Sequence, residues 1–116
     1  MNKLRRMWED HLEILAMSFP SLHHLQQDDR ASLELLDFYM VDSLETFIAH
    51  RGVLNPRDIV LLYNRRRSLA AIFKRLDGVV DSNGYFEQLL MMSKEVLRRV
   101  NVKEAHLIVT RNAEPE

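Results

Sequence analysis

Apolar side chains recur along this chain at steps of three and four residues, the repeat of one face of an α-helix. In the first segment that face is Leu4, Met7, Trp8, His11, Leu12, Leu15 and Phe19, with Lys3, Arg5, Arg6, Glu9, Asp10 and Glu13 turned away from it. Pro20 ends the pattern because proline cannot continue the helical ladder. A polar linker over 21–29 follows and holds His23 and His24. The second helix is expected to open near Asp28 or Asp29, either of which can cap free N–H groups. Its stripe is Leu33, Leu36, Met40, Leu44, Phe47 and Ile48. Leu35, Phe38, Tyr39 and Val41 widen that stripe, so contact on more than one side is expected, and Gly52 after Arg51 is the expected stop.

Asn55-Pro56-Arg57-Asp58 is the sharpest helix start in the sequence, with a cap, a proline at the first helical position and an early acid. Ile59, Leu62, Tyr63, Leu69, Ala70, Phe73 and Leu76 form the apolar face of this third helix, and Gly78 closes it. The fourth helix is expected to open near Asp81 or Ser82, with Gly84 weakening its first turn. Tyr85, Phe86, Leu89, Leu90, Met92, Val96, Leu97 and Val100 give it a broad arc. Leu107, Ile108 and Val109 fit a short strand or a last helical turn equally well. The pattern as a whole predicts an all-α fold. Short connections favour a mostly antiparallel four-helix bundle over residues 1–110, with a short irregular tail over 111–116.

Composition adds exclusions. A chain of 116 residues and 13.7 kDa fits one domain. It has no cysteine, so disulfides and thiolate metal sites are out, and three Gly with three Pro speak against a turn-rich β fold. Acids interrupt the first segment where a signal peptide would be apolar, and no run approaches the ~18 apolar residues of a membrane span. A cytoplasmic protein without a membrane partner is expected.

The net charge of −1 conceals a division. The third helix sets Arg57, Arg65, Arg66, Arg67, Lys74 and Arg75 against Asp58 alone. The second segment sets Asp28, Asp29, Glu34, Asp37, Asp42 and Glu45 against Arg30 up to residue 46. Opposed blocks of this kind should pair neighbouring helices. A second reading makes Arg65, Arg67, Lys74, Arg75, Arg98 and Arg99 a basic stripe for nucleic-acid phosphates, although no aromatic side chain is interleaved on it.

Polar residues on apolar faces are the local signals of a site. His11 and Arg66 fall near the centres of their arcs, Ser93 lies within that of the fourth helix, and Asp37 lies at a margin. A buried guanidinium needs a carboxylate or carbonyls, and Asp37 or Asp42 is the carboxylate expected to meet Arg66. These residues form a polar core layer, a small pocket that takes an anion or a cofactor carboxylate through Arg66 and His11, or an oligomer contact in which Arg66 bridges to a second chain.

No catalytic residue, metal ligand or cofactor is assigned. Glu34-x-x-Asp37 resembles half of the paired acidic signature of all-α nucleotide pyrophosphohydrolases, and the other half is missing from the neighbouring helix. Paired Glu-x-x-His motifs of di-iron bundles are absent, as is a phosphate-cradling glycine loop. The expected function is therefore a non-enzymatic protein-binding or regulatory module that presents an apolar helix face to a protein or to itself as a homodimer. Trp8, Leu35, Phe38, Tyr39, Leu61 and Met91 are the expected interface residues.

Overall fold

A computed structural model describes residues 2–17, 21–76 and 84–113, with side chains described for all of these except 14–17 and 113. The expected positions Phe19, Pro20, Gly78, Asp81 and Ser82, the side chain of Leu15 and residues 114–116 lie outside the described residues.

The described residues form five helices and no strand: α1 (Asn2–Met17), α2 (Gln27–Ala49), α3 (Pro56–Arg75), α4 (Tyr85–Arg99) and α5 (Val102–Ala113). The all-helical class holds, with one helix more than the hydrophobic pattern predicts. Residues 107–109 are neither strand nor isolated turn but the middle of α5, which runs three residues into the expected tail. Val100 takes extended angles and breaks α4, and Asn101 restarts the helix by accepting the Glu104 N–H at 2.9 Å on Oδ1.

The α3 start forms as its sequence dictates. Asn55 Oδ1 accepts the Asp58 N–H at 2.8 Å, Asn55 Nδ2 donates to Asp58 Oδ2 at 3.0 Å, and Pro56 occupies the first turn. The α2 start differs from expectation: Gln26 is the boundary residue and makes no side-chain cap. Asp28 and Asp29 lie inside the first turn, where their charge complements the helix dipole.

At the other end of α2 the left-handed position falls on Arg51 (φ 54°), and Gly52 follows at φ 90°. Gly52 N–H donates to Phe47 O at 2.8 Å and Arg51 N–H to Ile48 O at 3.2 Å. These paired bonds close the helix as a Schellman motif, with an arginine at the site that glycine usually fills. Gly84 (φ 78°) precedes α4, and a Cβ there would meet no atom within 4 Å, so only its backbone angle requires glycine.

Packing centres on α4 and α3. α4 meets α1, α2 and α3, and α3 also meets α2 and α5. Leu33, Met40, Leu44, Leu62, Leu69, Phe86, Leu89, Met92 and Val96 are fully enclosed where these helices meet. Among the described side chains of α1, Leu4 is fully enclosed, whereas Leu12, which the pattern places on the buried face, is 45% exposed. The reason is that α1 leans mainly on one helix, which covers only a narrow strip of it.

The body measures 48 × 33 × 18 Å, and its radius of gyration is 15.0 Å, against about 13.4 Å for a compact chain of this length. Its accessible surface of 7778 Å² exceeds by about 1,200 Å² the value expected for its mass. A slab this thin leaves helix faces uncovered.

Two substitutions test the helix ends. Arg51→Gly relieves a left-handed arginine and should raise stability by about 0.5–1 kcal/mol, read as a higher urea midpoint. Asn55→Ala should cost about 1 kcal/mol by the same measurement.

Candidate functional site

The four polar residues expected to share one layer fall into two separate clusters. In the first, His11 is 1% exposed. Its ring is flanked by Trp8 (centroids 5.9 Å apart, 25° between planes) and by Tyr85 (4.4 Å, 40°). His11 Nδ1 lies 3.2 Å from Gln88 Oε1, and Nε2 is buried with no hydrogen-bond partner among the described residues. Burial holds the His11 pKa below its ordinary value, and the Gln88 contact offsets this only in part.

The Tyr85 hydroxyl donates to Asp37 Oδ1 at 2.5 Å. Desolvation raises the Asp37 pKa against the opposing effect of that bond. Burial, reinforced by the neighbouring carboxylate, raises the phenol of Tyr85 as well.

The second cluster gathers at one backbone carbonyl. Leu90 O accepts Arg66 Nε–H at 3.2 Å and Ser93 Oγ–H at 2.9 Å. Neither Asp37 nor Asp42 pairs with Arg66: Asp37 is taken by Tyr85 and Asp42 stands exposed on α2. Arg66 is half-buried and extends to the edge of the core, so its head lines a pocket that His11 does not share.

That pocket, of about 300 Å³, lies where α3, α4 and α5 meet. Tyr63, Leu97 and Val102 give it an apolar lining, and Arg66, Arg67, Lys94 and Arg98 surround them. Arg67 lies 5.8 Å from the Tyr63 ring, and that ring packs edge-on against His106 at 5.3 Å.

Most of the basic stripe is engaged internally. Glu95, a buried carboxylate that pattern reasoning missed, accepts from Arg98 at 2.6 Å and from Arg99 at 2.9 Å, and Lys3 of α1 lies 3.7 Å away. The hydrogen bond from Arg98, helped by Arg99, draws its pKa down to about 2 against the opposing effect of burial. The Glu95 spacing of three and four residues to two arginines was a readable signal. Arg75 pairs with Asp29, and Arg65 stacks 4.3 Å over Tyr39. Lys74 is exposed. The expected pairing of opposed charge blocks thus amounts, among the described residues, to the single Arg75–Asp29 ion pair between α2 and α3.

Of the expected interface residues, Phe38 is 68% exposed, Leu35 and Met91 each 56%, and Tyr39 42%. Trp8 is different: it packs on the core edge against His11, and Leu61 is half-buried. Leu35, Phe38, Tyr39 and Asp42 stand at i, i+3, i+4 and i+7, so they share one face of α2. Phe38 and Tyr39 meet edge to face at 5.4 Å. Asp28, Glu34, Asp42 and Glu45 surround this ridge, and none of the four joins an ion pair among the described residues.

Among the described residues, no group of three or more His, Asp or Glu side chains is placed to hold a metal ion, and no helix is long and apolar enough to cross a membrane. No family model, curated protein or solved structure matches the chain.

The His11 cluster gives a pH prediction. Unfolded chains take up the imidazole proton near pH 6.5 and the folded chain only at lower pH, so stability is full above about 6.5 and falls as pH drops below it. The loss cannot exceed about 1.4 kcal/mol per pH unit for one group. Asp37, whose folded pKa is raised, acts in the opposite sense at lower pH. His11→Phe should therefore flatten the slope between pH 7 and 5 in urea titrations while leaving stability at pH 7 equal or higher. An unchanged slope would place the titration elsewhere.

Proposed function

We propose that this chain is a non-enzymatic interaction module that works through the outer face of α2. The observation that carries this reading is the ridge of Leu35, Phe38 and Tyr39, exposed along one helical face and flanked by carboxylates that have no ion-pair partner among the described residues. Large apolar side chains cost solubility when grouped on a monomer surface, and such grouping marks contact sites. An aromatic pair beside a leucine is the kind of anchor that dominates binding energy at interfaces. The surrounding acids select a partner surface of basic character.

The rest of the reading follows from this. α1 to α4 serve as a four-helix bundle, mostly antiparallel, that holds the ridge rigid, with α5 as a buttress on α3. The module acts in the cytoplasm and associates with a protein surface, including that of another copy. The nucleic-acid reading draws less support, because Arg75, Arg98 and Arg99 are spent on carboxylates and Arg65 on an aromatic ring.

A double substitution, Leu35→Ser with Phe38→Ser, separates binding from folding. Exposed interface residues contribute little to the fold, so stability should stay within about 0.5 kcal/mol of the parent in urea unfolding. A photo-crosslinking phenylalanine analogue at position 38 should form protein adducts, and the same analogue at Lys74 should not. A stability loss of about 2 kcal/mol, or no adducts at position 38, would refute the reading.

A further inference from the structure

The pocket at the junction of α3, α4 and α5 is the chemical counterpart of the α2 ridge. The ridge is apolar with acids around it, and the pocket is apolar with bases around it. Arg98 is held by Glu95, but the other charges on each side have no ion pair among the described residues. Arg66 uses Nε–H on the Leu90 carbonyl, and neither it nor Arg67 nor Lys94 lies within salt-bridge distance of a carboxylate among the described residues. Glu34, Asp42 and Glu45 are equally without a cation among the described residues. We propose that a second copy of this chain occupies the pocket: Phe38 of one copy enters between Tyr63, Leu97 and Val102 of the next, and its flanking acids meet Arg66, Arg67 and Lys94.

This inference rests on the ridge being a contact surface and adds what it contacts. The net charge of −1 lets copies approach without strong repulsion, while the local charges fix their orientation. Desolvated carboxylate–guanidinium contacts at the edge of an aromatic anchor are strong and directional.

The placement of the two features also fixes the kind of symmetry. Arg65 touches Tyr39 of the ridge helix, and Arg67 lines the pocket. Two residues apart on α3, they stand about 200° apart around its axis. Ridge and pocket therefore lie on opposite flanks of α3, and one partner cannot fill both by mutual insertion. The contact is heterologous, head to tail, so association continues to a third copy until a ring closes or the chain of copies ends.

Complementation tests this directly. The parent protein should show a sedimentation mass that rises with concentration above 13.7 kDa, and added salt should lower it. Phe38→Glu spoils the ridge and leaves the pocket intact. Arg67→Glu with Lys94→Glu spoils the pocket and leaves the ridge intact. All three positions are exposed, so both variants should keep the parent's circular dichroism, which is checked first. Each alone should associate at least tenfold more weakly than the parent. An equimolar mixture should form a pair of about 27 kDa, twice the chain mass, and stop there, because neither end can continue. A mixture that stays at the monomer mass overturns the head-to-tail contact. If the pocket variant associates like the parent while Phe38→Glu does not, the pocket is excluded and the ridge reading survives. A parent that stays monomeric up to about 0.5 mM also overturns self-pairing, and crosslinking at position 38 then decides the ridge reading by itself.

Discussion

Burial of one arc of α4 draws the other helices together. Tyr85, Phe86, Leu89, Met92, Ser93 and Val96 are at most 1% exposed, and α1, α2 and α3 all pack on this helix. A chain of 116 residues can enclose few helices this fully. The others meet the core along part of their circumference and meet water along the rest. This constraint accounts for the thin body, the exposed Leu12, and above all the uncovered ridge of α2. The polar groups conform to it too, since Arg66 reaches the core edge and finds a backbone carbonyl of α4 rather than a carboxylate.

Charge is arranged to complete that geometry locally and to leave a remainder. Glu95 ties Lys3, Arg98 and Arg99 into one node between α1 and α4, and Arg75 joins Asp29 across α2 and α3. These contacts neutralise basic side chains that would otherwise give a continuous cationic face. Among the described residues without an ion pair, Glu34, Asp42 and Glu45 lie around the α2 ridge and Arg66, Arg67 and Lys94 line the pocket. An overall charge near zero is thus compatible with two faces of opposite sign, and association by shape and charge needs such faces more than it needs a large net charge.

Much of the helical layout is legible from residue spacing. The Asn55-Pro56 start and the excess apolar width of α2 can be read directly, because both are properties of contiguous sequence. The separate α5 was readable in principle, since Asn101 followed by Glu104 has the spacing of a helix cap with an acid in the first turn. The partner of Arg66 was not, because a backbone carbonyl leaves no mark on the sequence. The His11–Tyr85–Asp37 cluster joins three helices, across separations of 48 residues between Asp37 and Tyr85 and 77 between His11 and Gln88, and periodicity within a helix carries no information over such distances. Leu12 was placed on the buried face because a hydrophobic stripe shows which side a helix turns inward, not how wide a neighbour covers it.

The attachment of α1 has a consequence for the order of assembly. α2, α3 and α4 are joined through nearby stretches of chain, whereas α1 finds its main partner in α4 only after the intervening sequence has been closed into a loop. That loop is longer than those closed by the other helix contacts, and the burial that rewards it lies mainly along one helix. α1 should therefore dock last during folding and detach first under stress, as a separate cooperative unit. Its departure would bare the strip of α4 that contains Tyr85 and Gln88, and would give His11 access to water without unfolding the rest of the molecule.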